Sequence, residues 1–298
     1  MTRENRFTGV NSIKFNNAFL SDDDCYRYLA DIKWVDGYVC RKCGNFKHYK
    51  GVKPFSRRCM KCKYDESPTS GTMFDKCKFP LQLAFHIAFK ISSKKKGMSS
   101  IELSAEFELR QKTCWEFKWK IQQAMQSTCS YPLSEKVQVD EFYIGGEEEG
   151  KRGRSKGDKK FVIVALEVVN GGVGRAYARF IEDASAESFK PFFRDHIAKD
   201  AHVITDEWNG YKPLKKEYPN LEQVKSDKGK GLPDLHLHIM NIKGWLRGIH
   251  HHASKDRLQG YLDEYHFRYN RRNNMNTIFD LLIKRMVENQ PKRINKAL

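Results

Sequence analysis

Asp140 and Asp206 each stand at the end of a short apolar run, and two Cys-x-x-Cys pairs lie upstream of them. The segment Val137-Gln138-Val139-Asp140-Glu141-Phe142-Tyr143-Ile144-Gly145-Gly146 alternates like a strand that ends on two glycines, which places Asp140 on a rigid element. Ala201-His202-Val203-Ile204-Thr205-Asp206 reads as a shorter strand with an acid at its tip. Two carboxylates on strand ends suit phosphodiester chemistry, where two divalent cations about 3.5–4 Å apart activate an attacking oxygen and stabilise a leaving one. Read by themselves, the two aspartates fit turn residues or surface ion-pair partners as well.

The cysteines speak for a different metal. Cys40-Arg41-Lys42-Cys43 and Cys59-Met60-Lys61-Cys62 are separated by 15 residues, and each knuckle can offer two thiolates to one ion. Four thiolates close the tetrahedral shell of zinc and leave no position for substrate, so this zinc is expected to be structural. Around the ligands lie Arg41, Lys42, Lys47, Lys50, Lys53, Arg57, Arg58, Lys61 and Lys63, a surface able to track phosphates. The interleaved Phe46, Tyr49 and Phe55 are expected to form the ribbon's small core. Cys25, Cys77, Cys114 and Cys129 are scattered, which suits a reducing compartment better than a disulfide framework.

Elements must carry these groups to one place. Phe161 to Val169 reads as a buried strand, Asn170-Gly171-Gly172 as a hairpin turn and Val173 to Ile181 as a third strand. Ser185 to Lys199 reads as an amphipathic helix leading into the Asp206 strand, so the order is β-β-β-α-β and both carboxylates share one sheet. Leu232-Pro233-Asp234 starts a further helix with Pro in its first turn. On that helix His236 and Lys243 are seven residues apart and share a face. Asn241 and Asp234 point elsewhere and are weaker candidates. Leu258, Tyr261, Leu262, Tyr265 and Tyr269 recur at helical spacing and are expected in the core, and residues 276–287 repeat a helical pattern.

Between the cysteines and the strands, helices are predicted from Leu81, over Ser99 to Phe107 and over Lys112 to Met125, resembling a three-helix DNA-binding unit. Lys112, Lys118 and Lys120 in the last of these would meet DNA while its aromatics pack; an ordinary helical connector is the alternative. The loop Gly150 to Lys160 adds Arg152 and Arg154, and Arg268, Arg271 and Arg272 at the end of the tyrosine-rich helix could hold phosphate. His250, His251 and His252 are consecutive and cannot readily share one ion, so loop or DNA-backbone contacts are expected of them.

Charge agrees with a polyanionic partner: 54 Lys and Arg against 37 Asp and Glu give a formal charge of +17 over 298 residues. No apolar run resembles a signal peptide or a bilayer span, so a cytoplasmic, DNA-associated protein with no membrane partner is expected.

The segments Val-Asp-Glu-Phe-Tyr-Ile-Gly-Gly, Thr-Asp-Glu-Trp-Asn-Gly-Tyr and Tyr-Leu-Asp-Glu-Tyr-His-Phe-Arg-Tyr-Asn-Arg-Arg resemble those of bacterial insertion-sequence transposases of the ISXO2-like group. The resemblance spans about residues 20 to 272. It implies an α/β architecture: an RNase H-like mixed sheet flanked by helices, preceded by a zinc ribbon and a helix-turn-helix-like module. The corresponding divisions are 18–72 for the ribbon and its flank, 73–132 for the helical module, 133–275 for the catalytic domain and 276–298 for a C-terminal helix and tail. It also implies metal-dependent cleavage at element ends, attack of the freed 3′-hydroxyl on target DNA, and a homodimer or larger assembly holding terminal inverted repeats and target. Asp140 and Asp206 occupy the family's first two carboxylate positions. At the third, alignment backward from His251-His252-Ala253-Ser254 puts His236 where the commoner pattern has Glu, and Lys243 at its basic position. A neutral imidazole there suits Mn²⁺ better than Mg²⁺.

Overall fold

The computed structural model describes residues 6–145, 159–225, 227, 230–250 and 253–291. Its elements run α1 (Ser12–Ala18), α2 (Asp22–Lys33), β1 (His48–Lys50), β2 (Arg57–Cys59), β3 (Asp65–Glu66), α3 (Leu81–Ser93), α4 (Ser100–Phe107) and α5 (Gln111–Met125). They continue with β4 (Lys136–Ile144), β5 (Lys160–Val169), β6 (Gly172–Ile181), α6 (Ala186–His196), β7 (His202–Thr205), β8 (Leu221–Gln223), α7 (Pro233–Ile249), α8 (Lys255–Tyr269) and α9 (Ile278–Glu288). The chain forms two compact units, residues 1–125 with 271–298, and residues 126–270.

The first unit divides the chain differently from the expectation. Residues 276–298 were expected as a separate C-terminal helix and tail, yet α9 packs against α2, α3 and α5. Phe279 explains this: it is fully buried among Phe7, Phe15, Phe19, Phe85 and Phe89, with ring centroids 5.1–5.8 Å away. Such a cluster is a single apolar core, which one helix cannot leave without exposing the others. Helix α2 starts at a capping box, Ser21 with Asp24, ahead of three acids in its first turn. In the ribbon, β1, β2 and β3 form an antiparallel sheet over a core of Trp34, Tyr38, Phe55 and Tyr64. Phe55 thus packs as expected, whereas Phe46 is 73% exposed and Tyr49 faces out with Lys63 over its ring at 5.3 Å. Strands of two or three residues leave one packed face, and Tyr38 and Trp34 already fill it.

The second unit is a five-stranded mixed sheet in the order β6-β5-β4-β7-β8. β4, β5 and β6 are antiparallel neighbours, and β4, β7 and β8 run parallel. This is the RNase H-like pattern. One face packs on α6 through Val137, Val139, Ile163, Phe189, Phe193 and Tyr211. The other packs on α7 and α8 through Phe142, Val164, Ile204, Leu235, Ile239 and Leu262. The turn after β5 uses Gly171 at φ 85, where an L side chain would be strained. The outer strand β6 does not present a bare edge. Asn270 accepts from the N–H of Ala176 at 2.8 Å and donates to its carbonyl at 2.8 Å, and Gln259 treats Phe180 and Ala178 similarly at 2.9 and 3.3 Å. Side-chain amides thereby do the work of a sixth strand.

Two buried imidazoles give this unit an acid sensitivity. Burial lowers His266 to about 4, against a backbone bond from its ring to the Leu262 carbonyl, and burial followed by the Arg179 charge lowers His196 to about 4. Unfolded, both would titrate near 6.5. As pH falls from about 6.5 to about 4 the unfolded chain takes up protons that the folded chain refuses, so stability declines over that window and levels off below it. Thermal unfolding midpoints recorded from pH 7 to about 4 should fall, and His266→Phe should flatten the decline.

Candidate active site

Asp140 lies in the middle of β4, facing Val164 of β5, and the pairing of β4 with β7 ends at Gln138 opposite Ile204, one residue before β7 stops at Thr205. β4 therefore runs on beyond the tip of β7, where the chain turns away at Asp206. That turn is held three ways. The Trp208 N–H donates to Asp206 Oδ1 at 3.0 Å, and Gln223 on β8 donates to the carbonyls of Asp206 and Trp208 at 3.1 and 3.0 Å. The Trp208 indole donates to the Ala184 carbonyl at 2.7 Å. Gly210 is required beneath it, since a Cβ there would meet that carbonyl at 2.7 Å and the Trp208 Nε1 at 2.8 Å.

In the gap so formed, one carboxylate oxygen from each of Asp140, Glu141 and Asp206 comes within 4.8 Å of the others. Glu141 is the residue that sequence reasoning missed. Strict alternation sends it to the α6 face, opposite Asp140, but on the edge of β4 left unpaired beyond β7 both faces reach the same gap. Its Oε2 accepts from the Tyr211 hydroxyl at 2.7 Å. Tyr211 is wholly buried, and burial first, then the charges of Glu141 and Asp140, push its pKa well above the ordinary value, so it stays a donor. Tyr-after-Gly in the Trp-Asn-Gly-Tyr segment was the available signal.

α7 covers the α7-facing side of this gap. Leu232 gives no side-chain cap, and Pro233 has no N–H. The buried Gln138 of β4 supplies the cap instead, accepting from the Leu235 N–H at 3.0 Å. This bond ties the first turn of α7 to the strand that carries Asp140. His236 follows, with Nε2 3.5 Å from Asp140 Oδ2, while Asp140 Oδ1 accepts from the Glu141 N–H at 2.8 Å. Two turns on, the Lys243 ammonium sits over Phe142 and Tyr143 at 5.3 and 5.4 Å. Burial, then Arg247, lowers its basicity, and Asp140 opposes them. The ligand atoms gathered within 4.8 Å are thus those of Asp140, Asp206 and Glu141; His236 approaches Asp140 alone, and Lys243 lies two turns further along α7. Asp234 and Asn241 are exposed on α7.

The donor sets fit two kinds of metal. Cys40 and Cys62 sulfurs lie 3.6 Å apart, as do those of Cys43 and Cys59. A tetrahedron with Zn–S bonds of about 2.3 Å has edges of roughly 3.8 Å, so the four thiols match zinc and stand too far apart for disulfides. Gly44 and Lys63, one residue past each knuckle, adopt left-handed conformations at φ 70 and 60 that turn the chain around the ligands. Oxygen-rich Asp140, Glu141 and Asp206 suit hard divalent cations. Chelating the zinc, or Cys59→Ser, is expected to unfold the ribbon. Metal binding contributes about 10–16 kcal/mol in such small modules, far more than their cores. Zinc content measured alongside the near-ultraviolet dichroism of Trp34, part of the ribbon core, checks this.

The basic residues scatter more. Lys112 is exposed in the first turn of α5. Lys118 is 3% exposed and its ammonium donates to the Met98 carbonyl; Lys120 donates to the carbonyls of Met73 and Asp75 at 3.1 and 3.3 Å. Both were expected at DNA. The correction has a physical source: the two lysines point about 200° apart on α5, each toward carbonyls of a different neighbouring segment, and α9, α3 and α4 pack on the helix, so it is largely a core element. Arg268 is likewise buried, paired with Glu264 at 2.8 Å, and so is no phosphate ligand. Arg272 is exposed and Arg271 half-buried. His250 stacks on Tyr261 at 3.7 Å. Arg152, Arg154, His251 and His252 lie outside the described residues. Among those described, no helix is long and apolar enough to cross a membrane.

A four-cysteine ribbon is joined in one chain to an RNase H-like sheet in which carboxylates from mid-β4 and from the turn after β7 gather, a donor set that could hold the divalent cations of phosphodiester chemistry. Residues 132–270 match the ISXO2-like transposase domain, and residues 20–65 match the transposase zinc-ribbon domain. The chain belongs to the insertion-sequence transposases that combine these two parts, and is a DNA transposase. No curated protein matches it. Among solved structures, a chain of a pre-cleavage Mos1 transpososome aligns over 85% of both chains at 11% identity with a TM-score of 0.29, too loose a superposition to carry an argument.

Proposed function

We propose that this transposase cleaves the ends of its element and joins the freed 3′-hydroxyl to target DNA, with Asp140, Asp206 and His236 as its metal ligands. The convergence of carboxylate oxygens from β4 and the β7 tip to within 4.8 Å of one another carries the reading. Bound there, Mg²⁺ or Mn²⁺ would activate the attacking oxygen and stabilise the leaving one. The protein's part is positional. Gln223 and Trp208 hold the Asp206 turn, Tyr211 holds Glu141, and Gln138 sets α7 so that His236 faces Asp140. Lys243, half-buried at the rim, is placed to meet a phosphate oxygen beside the reacting one. Exposed Lys112 and Arg272 with Arg271, together with Arg152 and Arg154, bind DNA backbone, and the ribbon's lysines extend that field. Two element ends must be held at once, so the working form is a dimer or larger assembly on terminal inverted repeats.

The test is strand transfer of a pre-cleaved element end into plasmid DNA with Mn²⁺. Joined product supports the reading. With an uncut end assayed alongside, cleavage without joining would make the protein a nuclease, and end binding without either would make it a regulator.

A further inference from the structure

α7 presents apolar side chains to solvent next to the site it helps to build. Leu237 is 57% exposed and Met240 65% exposed, on a helix whose opposite side is buried through Leu235, Ile239, Ile242 and Leu246. At 100° per residue Met240 stands one turn beyond His236 and about 40° around from it, and Leu237 lies further out on the same side. Arg247 is exposed on the same side almost two turns beyond Met240, and Lys243 lies at the boundary. Gly244 and Gly248 complete the strip, with nothing within 4 Å of where their Cβ atoms would be. From Leu235 to His250 the helix carries no acidic residue, so the strip is apolar at its centre and cationic at its margin.

We infer that Leu237 and Met240 form a wedge that holds the terminal base pair of the element end apart, with the unpaired base lying against α7. The inference rests on the transposase reading above and deepens it by naming the substrate's form. Three observations converge. Exposed Leu and Met are the side-chain types that insert between bases and unstack them, and neither has a use in tracking a phosphate backbone. The strip is continuous with the catalytic rim, since His236 is one turn from Met240 and 3.5 Å from Asp140. Asp140 itself is only 8% exposed, recessed beneath α7, so the scissile phosphate must leave regular duplex geometry to reach it. Melting the terminal pair frees the backbone to do so, and the side-chain-free surface at Gly244 and Gly248 admits the displaced strand.

A duplex carrying the terminal repeat of the encoding element, with 2-aminopurine in its last base pair, is mixed with the full-length protein and Ca²⁺ to hold it unreacted. Fluorescence is expected to rise on binding as the base unstacks. In Leu237→Ser/Met240→Ser the rise should vanish, and cleavage in Mn²⁺ should slow by about tenfold or more, since unpairing costs a few kcal/mol. A substrate mispaired at that position should restore cleavage by the double variant to within about threefold of the unmodified protein, which a misfolded variant cannot show. Absence of the rise with the unmodified protein, equal cleavage by the double variant, or no rescue by the mispair each overturns the wedge. So does a shift of the double variant to a smaller species in sedimentation with no change in fluorescence, which would make the strip a contact between copies. Failure of the unmodified protein to cut even the mispaired substrate while the fluorescence still rises would keep the wedge and sink the transposase chemistry, so the two can be told apart.

Discussion

Asp140→Asn is expected to reduce both end cleavage and joining by about 10³-fold, because cations held at such a site contribute several kcal/mol of transition-state charge stabilisation. The substitution is chosen to take charge and leave shape. Asp140 Oδ1 accepts the Glu141 N–H, and an Asn oxygen takes its place; Oδ2 faces His236 Nε2 at 3.5 Å, and an amide nitrogen fits that space. Asp206→Asn is matched in the same way, since its Oδ1 accepts the Trp208 N–H and the carboxamide preserves that bond. Both variants should therefore bind element ends as the unmodified protein does and unfold within a few degrees of it. Binding measured by fluorescence anisotropy, next to initial rates in Mn²⁺, separates the two effects. Retention of a tenth or more of the rate by either variant would remove that aspartate from the metal site.

The parts of this site that were legible in the sequence are those where one local signal decided one local structure. Alternation in Val137 to Ile144, the Asn170-Gly171-Gly172 turn, and Pro233 in a first turn located β4, the β5–β6 hairpin and α7, and with them Asp140, His236 and Lys243. The tyrosine-rich α8 was read as core, and Leu258, Tyr261 and Leu262 are buried there. Misplaced residues share a different property: their environment is set by an element remote in sequence. Lys118 and Lys120 look like surface lysines until carbonyls of segments 20 or more residues earlier, at Met98, Met73 and Asp75, take up their ammonium groups. Glu141 sits on the wrong face of its strand by alternation and reaches the metal gap only because β7 stops short. Gln138 reads as an ordinary strand polar residue, and its role depends on a helix that begins almost a hundred residues later. Phe46 and Tyr49 were assigned to a ribbon core that Trp34 and Tyr38 occupy instead. β8, three residues long, has no periodicity to read, yet it supplies Gln223 to the Asp206 turn.

His236 and Glu141 compete for the role of third ligand, and their chemistries separate them. If His236 binds, the site has two carboxylates and a neutral nitrogen donor, one charge fewer than three carboxylates provide, and activity in Mn²⁺ should exceed that in Mg²⁺ at every concentration tested. His236→Ala should then raise the Mn²⁺ concentration needed for half activity by at least the 10–100-fold, roughly, that loss of an outer-shell partner costs. His236→Glu should recover activity in Mg²⁺ and cut the Mn²⁺ preference by about tenfold or more, because it restores an oxygen donor and a negative charge beside Asp140. Glu141→Gln should be milder, because its Oε2 is already engaged by the Tyr211 hydroxyl at 2.7 Å and an amide oxygen can accept that bond. The opposite ranking, with Glu141→Gln abolishing metal dependence and His236→Ala leaving it intact, would assign the third position to Glu141. In that case the acidic trio beside the end of β7 would bind Mg²⁺ unaided, His236 would be left as a hydrogen-bond partner of Asp140, and the departure from the family pattern on α7 would be made good by the residue next to Asp140, on β4 itself.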